Sequence, residues 1–358
     1  MDIDTKIDLV CQVGEEIIEV DELRPLFESG KELVAYDGME PSGQLHIAQA
    51  VLRAINVNKM TKAGIKFKIW VADWFAWANN KMGGDLEKIQ TVGKYMIEVW
   101  KASGMDLENV EFIWANEAMK DVEYWKTVMN IARSSTVKRI LRCSQIMGRS
   151  ESETLYASQI FYPCMQCADI FYLKADICQL GMDQRKVNML AREIGPKLGF
   201  WKPIVVSHHM LMGLQAPPEG EMDAIERATA MKMSKSNPDS AIFMTDSEDD
   251  IRRKINKAYC PEKQVHDNPI MEYCKYLVFE RNPFIVIERP EKWGGNMEIH
   301  SYDELVRLYT AGDLHPADLK KAVAGYINAM VAPVREHFEK DPKAKALLEQ
   351  VRSFQVTR

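Results

Sequence analysis

Lys232-Met233-Ser234-Lys235-Ser236 places two ammonium groups and two hydroxyls within five residues. On a loop that can close over a ligand, such a set clamps a triphosphate. It also neutralises the charge that builds on pyrophosphate as it leaves. The bland alternative is a polar linker between domains. A second candidate lies early in the chain, where Pro41-Ser42-Gly43-Gln44-Leu45-His46-Ile47-Ala48-Gln49 follows an apolar run ending at Gly38 and opens a helical pattern. Small residues such as Gly38 and Gly43 let a nucleotide approach the backbone, and a helix N-terminus favours phosphate. His46 can donate hydrogen bonds to those phosphates. A third candidate is Tyr162-Pro163-Cys164-Met165-Gln166-Cys167-Ala168-Asp169. Here Tyr162, Gln166 and Asp169 fall at i, i+4 and i+7, on one helix face, among apolar or small residues. A solvated polar stripe shows the same pattern, so spacing alone leaves both readings open.

The early and late segments, in this order, resemble the HIGH and KMSKS signatures of class I aminoacyl-tRNA synthetases. Two positions depart from the family pattern. Ala48 stands where the family has glycine, and its methyl narrows the adenine site. Gln49 stands where the family closes on histidine, and it can donate a hydrogen bond but cannot become cationic. The Tyr162–Asp169 segment resembles the tyrosine-binding helix of archaeal and eukaryotic cytosolic tyrosyl-tRNA synthetases. So do Tyr172-Leu-Lys-Ala-Asp176 and Gly181-Met-Asp-Gln184-Arg185-Lys186. The resemblance spans residues 31–340.

That resemblance implies a set of roles. His46, Gln49, Lys232 and Lys235 would serve catalysis. Gly38, Gly43, His46, Lys232, Ser234, Lys235 and Ser236 would bind ATP. Tyr36 and Asp169 would hold the phenolic hydroxyl of tyrosine, while Tyr162, Gln166 and Gln184 hold its α-amino group. A carboxylate facing a phenol rejects phenylalanine, which leaves it unpaired; tyrosyl-tRNA synthetase is the standard illustration of this effect. Arg185 and Lys186 match residues that face the acceptor end of tRNA. Trp293 and Asp318 match anticodon-reading positions, with Trp293 stacking on the first base and Asp318 accepting hydrogen bonds from it. On the residues alone, Trp293 reads equally as a core tryptophan and Asp318 as a first-turn acid favoured by the helix dipole.

The reaction implied is ATP-dependent activation of L-tyrosine to tyrosyl-adenylate and its transfer to the 3′ end of tRNA(Tyr). Mg²⁺ would accompany ATP, with no resident cofactor or metal. The resemblance also implies a homodimer with its interface around 110–145. Three other readings compete. A tryptophanyl enzyme would share both signatures, but it needs an acceptor for an indole N–H. A small-molecule adenylyltransferase has no use for an anticodon-reading region. An inert paralogue would be expected to lose His46 or the lysines.

These side chains need a scaffold. Leu33–Tyr36, Phe67–Ala72 and Val110–Trp114 read as strands, separated by helical patterns at 46–62 and 85–103. Alternating β and α segments indicate a Rossmann-like, doubly wound parallel sheet, with ligands at the carboxyl ends of its strands. After about residue 240 the strand signal fades. Ser247 and Asp250 suggest a cap on a helix over 248–258. Pro316 suits the first turn of a longer helix towards His337. Leu319, Val323, Ile327, Met330 and Val334 stripe that helix, and Pro333 should kink it. The expected division is an N-terminal helical segment (1–30), a catalytic domain (31–240) and a mainly helical anticodon-binding domain (241–358). Pro163 is expected at the start of its helix.

The bulk properties are permissive. A chain of 358 residues, 46% hydrophobic, can bury a large core. A net charge of −6 argues weakly against nucleic acid, because Lys138, Arg139 and Arg142 still form a local basic cluster. Seven scattered cysteines argue against a disulfide framework, and the Cys164/Cys167 pair lacks the second pair a zinc ribbon needs. No apolar run reaches membrane-spanning length, and the expected location is the cytoplasm.

Overall fold

The computed structural model describes residues 1–147, 155–218 and 237–354, together with 220, 222, 227, 230, 231 and 233. Its centre is a six-stranded sheet in the order β1-β6-β5-β2-β3-β4. Strands β2 (Val34–Met39), β3 (Lys66–Val71), β4 (Val110–Trp114), β5 (Ile177–Gly181) and β6 (Ile204–His208) run parallel. Every residue of β5 is buried, as a parallel strand covered by helices on both faces requires. The strand order reverses at β2, with β3 and β4 to one side and β5 and β6 to the other. The crevice between β2 and β5 is therefore the switch point where α/β sheets of this kind bind ligands.

The N-terminal region corrects one expectation. Ile3–Cys11 is a helix capped by Asp2, but Gly14–Ile18 is not helical. It forms β1, antiparallel to β6 at the sheet edge. A Cβ on Gly14 would lie 2.5 Å from the Ile17 side chain, so a larger residue here would force that side chain to move. The helical reading of Glu15-Glu16-Ile17-Ile18 fails because the β6 edge offers unpaired backbone groups that no local pattern reveals.

Two further differences concern the site helices. The expected helix over 46–62 opens as a π-helical turn, Ala48–Leu52, before the regular helix Arg53–Lys62. Such turns gather at functional sites. Pro163 does not start its helix, which runs Ala157–Tyr172 with Tyr156 at the cap. Every residue from Tyr162 to Phe171 is buried there, and burial overrides the local preference against an interior proline.

Downstream, Ser247 caps the helix Glu248–Lys257 by accepting from the Asp250 N–H. Pro316–Lys340 is one helix that runs through Pro333, followed by Pro342–Ser353. Strand structure does not end at 240. A small hairpin, β7 (Ile285–Ile287) with β8 (Met297–Ile299), interrupts the helices. The early loop is stitched to the chain beyond 240: Ile47 N–H donates to the Ile242 carbonyl at 2.8 Å, and Met244 N–H to that of Leu45 at 3.0 Å. One apolar core runs through both regions.

Candidate active site

A cavity of about 790 Å³ opens at the carboxyl ends of β2, β5 and β6. Its wall brings together Tyr36, Gly38, His46, Gln49, Tyr162, Gln166, Asp169 and Gln184, residues that the sequence analysis assembled from four separate segments. Gly43 lies in the adjoining loop at φ +126°, a conformation that favours glycine.

The floor is aromatic and acidic. Asp169 is fully buried, and its Oδ1 accepts the Tyr124 hydroxyl at 2.8 Å. Burial pushes the Asp169 carboxyl well above the usual range, while the Tyr124 hydrogen bond pulls the other way. The Tyr36 hydroxyl is also buried and makes no hydrogen bond among the described residues. A buried carboxyl beside an unused hydroxyl offers both a donor and an acceptor to a phenol. Tyr124 escaped the sequence analysis. It sits in line with buried Val128 and Ile131 on the helix Val122–Arg133, and nothing local separates it from an ordinary core aromatic.

One side wall is polar. Gln166 Nε2 donates to Gln184 Oε1 at 2.9 Å. The Tyr162 hydroxyl donates to Glu40 Oε1 at 2.7 Å, and Asn79 Nδ2 donates to the same oxygen at 3.2 Å. Glu40 was also missed, although it directly precedes Pro41 of the early motif. It supplies a carboxylate where a cationic amine would dock. Phe75 packs its ring edge-on to Tyr162, with centroids 4.9 Å apart, so this position gives an aromatic contact and no polar one.

At the opposite end, His46 N–H reaches Gln49 Oε1 at 3.4 Å. Lys232, Ser234, Lys235 and Ser236 lie outside the described residues. Met233, between them, is buried on the cavity wall, and the Tyr273 hydroxyl points at its sulfur. Cys164 and Cys167 are buried thiols on the floor helix, where they pack in the core.

This geometry can be set beside known proteins. Residues 28–332 match the family described as tRNA synthetases class I (W and Y). The chain belongs to that family. Tyrosine--tRNA ligase 1, cytoplasmic, of Arabidopsis thaliana is 52% identical across 100% of this chain and 90% of its own length. Tyrosine--tRNA ligase 2, cytoplasmic, of the same plant is 54% identical over 99% of this chain, which spans 46% of that relative's length. The solved tyrosyl-tRNA synthetase of Pyrococcus horikoshii, complexed with L-tyrosine, superposes with a TM-score of 0.91 at 39% identity. That match covers 98% of this chain and all of the other.

The remaining candidate residues lie at two outlying places. Arg185, beside the cavity, is gripped by Glu16 of β1, with Nη2 donating to Oε1 at 3.1 Å. Lys186 follows it in the first turn of the helix Arg185–Ile194. Trp293 stands 65% exposed between β7 and β8, under the Lys292 ammonium. That exposure removes the core-tryptophan reading. Asp318 lies in the first turn of Pro316–Lys340. Arg289 ties the turn that carries Trp293 to the loop before that helix by donating to the carbonyls of Gly295 and Asp313 at 3.0 and 2.9 Å.

Two histidines at the mouth of β6 differ sharply. His208 is half-buried and hydrogen-bonded to Gln179, and desolvation lowers it to about 3, so it stays neutral. Burial also opposes charge on His209. Its bonds to Glu15 (3.2 Å) and Glu272 (3.0 Å) prevail and push it up to about 9.

Proposed function

We propose that the chain is a tyrosine--tRNA ligase that activates L-tyrosine with ATP and transfers it to the 3′ end of tRNA(Tyr). The observation that carries this reading is the cavity floor. Asp169, held by Tyr124, and the unused Tyr36 hydroxyl converge where a phenolic hydroxyl would sit. An indole N–H would satisfy the carboxylate but not the second hydroxyl. Tyr162, Gln166, Gln184 and Glu40 form the wall suited to the α-amino group.

The substrate carboxylate attacks the α-phosphorus of ATP in line. A bond forms from carboxylate oxygen to phosphorus, and the bond to the bridging oxygen breaks, releasing pyrophosphate. His46, Lys232 and Lys235 stabilise the transferring phosphates, with Ser234, Ser236, Gly38 and Gly43 cradling ATP and Gln49 adding a neutral donor. Mg²⁺ enters with ATP as part of the substrate. The terminal ribose hydroxyl of tRNA then attacks the carbonyl of the mixed anhydride, and AMP leaves. No protein nucleophile is needed.

Arg185 and Lys186 face the acceptor end in this reading, while Trp293 and Asp318 read the anticodon. An exposed tryptophan suits stacking on a splayed base. We assign catalysis to residues 31–240 and anticodon binding to 241–358. The protein acts as a homodimer through the face around 110–145. Among the described residues no helix is long and apolar enough to cross a membrane, and the names of the plant relatives support a cytoplasmic location.

The test is tyrosine-dependent exchange of pyrophosphate into ATP, run beside tryptophan and phenylalanine and with Asp169→Ala. Exchange with tyrosine alone, lost in the variant, is expected. Exchange with tryptophan would move the specificity to the sister enzyme. A folded protein inactive with every amino acid would leave an RNA-binding paralogue.

A further inference from the structure

Past the end of β6 the chain runs through His209, Met210, Leu211 and Met212 to Gly213 and Leu214. His209, Met210 and Leu211 line the cavity. The backbone that follows is bonded to the chain further on. Gly213 N–H donates to the Met231 carbonyl at 2.7 Å, and Leu214 N–H to that of Ser240 at 2.9 Å. Met231 directly precedes Lys232, and Ser240 lies just beyond Ser236. The stretch that bears Lys232 and Lys235 is therefore seated at both ends on this one loop.

What holds the loop comes from far along the chain. The short helix Pro269–Tyr273 starts on Asn268, whose side chain accepts from the Ile270 and Met271 N–H groups, with Pro269 in its first turn. Pro269, Ile270, Met271 and Tyr273 are buried and anchor it in the core. Glu272, half-buried, turns to the loop. Its Oε2 accepts from the Met212 N–H at 2.9 Å and from His209 Nε2 at 3.0 Å. Met212 is buried, so its N–H requires a protein partner. The His209 ring lies flat on Tyr276, with centroids 4.2 Å apart. Tyr273, next to Glu272, directs its hydroxyl at the Met233 sulfur, 3.9 Å away. Adjacent residues of one helix thus grip the loop and the residue between Lys232 and Ser234. A plain tether between regions has no need of a charged acceptor on the backbone of this particular loop. The placement matters for rate, because a shift of about 1 Å among reacting groups costs about 100-fold.

We propose that Glu272 is a positioning residue for adenylate formation. Through the Met212 N–H and His209 it fixes the loop on which the lysine-bearing stretch is seated, and Tyr273 beside it fixes Met233. The role rests on the ligase function proposed above, in which Lys232 and Lys235 stabilise the transferring phosphates. It is confined to one step. Once pyrophosphate has left, the lysines have no leaving charge to stabilise, so transfer to tRNA does not depend on Glu272.

The experiment times the two steps separately on the full chain. One assay follows single-turnover formation of tyrosyl-adenylate; the other follows transfer of tyrosine from chemically supplied tyrosyl-adenylate to tRNA(Tyr). Wild-type protein is compared with Glu272→Ala, Glu272→Gln and Tyr273→Phe. Glu272→Ala should slow adenylate formation at saturating ATP and tyrosine by about 10- to 100-fold, from two lost bonds to a charged group and a displaced loop. Its equilibrium affinity for tyrosine and its transfer rate should stay within about twofold of wild type. Glu272→Gln keeps an acceptor oxygen in place and should restore the rate to within about threefold. Tyr273→Phe should slow the same step by about two- to fivefold, as one weak bond is lost. A folded Glu272→Ala that forms adenylate at the wild-type rate overturns the proposal, and so does an equal loss in both steps. If Glu272→Ala does not fold, Tyr273→Phe decides. Slowed adenylate formation with normal transfer supports the role, and an unchanged rate overturns it. Wild-type protein that forms no adenylate with any amino acid sinks the ligase reading itself, and the positioning role falls with it.

Discussion

At the scale of single residues, the site works by leaving chosen polar atoms buried and under-used. Asp169 has a fixed donor in Tyr124, and in the proposed function its remaining capacity serves the phenol. Tyr124→Phe removes that donor without changing volume. The tyrosine KM in exchange assays should then rise about five- to tenfold, the effect of one lost hydrogen bond of about 1 kcal/mol, with the fold intact. An unchanged KM would show that Tyr124 only packs. His209 makes a different prediction, about stability. Its folded value of about 9 exceeds the unfolded 6.5, so its contribution is complete below pH 6.5 and disappears as pH rises through 9. His209→Gln should therefore lower the denaturation midpoint at neutral pH, by on the order of 2 kcal/mol. Wild-type and variant curves should converge above pH 9. Parallel curves across that range would refute the ion-pair account.

At the scale of elements, the sheet fixes where side chains converge, and close packing fixes the sheet. The helix Leu86–Ala102 lies on β3 and β4 through Gly93. A Cβ there would meet the Trp114 ring at 2.5 Å and Val71 at 3.0 Å. Gly93→Ala should cost about 1–3 kcal/mol by overpacking, visible as a lower urea midpoint; an unchanged midpoint would mean the indole yields freely. Strands β2, β3 and β4 were legible as short runs rich in apolar and aromatic residues, separated by helical patterns. β1 was not legible. Its residues carry two carboxylates and two isoleucines, and only the open edge of β6 makes a strand of them. The short β7–β8 pair escaped for a similar reason, since three-residue strands leave almost no pattern.

At the scale of the whole molecule, the early loop, the chain just past 240 and β1 all meet near the cavity mouth. His209 bonds to Glu15 on one side and Glu272 on the other, so one ring ties the N-terminal strand to the C-terminal region. Exposed apolar side chains occur elsewhere. Val122, Met129 and Val137 are 76%, 49% and 64% exposed, on the helix Val122–Arg133 and the short helix Val137–Leu141 that follows. Large apolar side chains left exposed on consecutive helices suit a partner copy. Light scattering of the wild-type protein should give twice the chain mass, and Val122→Asp/Val137→Asp should give the monomer. A monomeric wild type would remove the dimer from the proposal.

The sequence by itself determined the chemistry on offer. His46, Gln49, Tyr162, Gln166, Asp169 and Gln184 could be named because their segments resemble those of a known family, and the fold brings all six to one cavity. The alternation of strands and helices followed from periodicity, which is local. Tertiary structure alone decided which carboxylate meets which hydroxyl. Tyr124 reaches Asp169 across 45 residues, Tyr162 reaches Glu40 across 122, and Arg53 meets Asp37 from the next element. None of these partners bears a local mark. A buried tyrosine in a helix looks like any core aromatic until the fold shows what its hydroxyl faces, because desolvation and hydrogen-bond satisfaction are properties of the assembled surroundings.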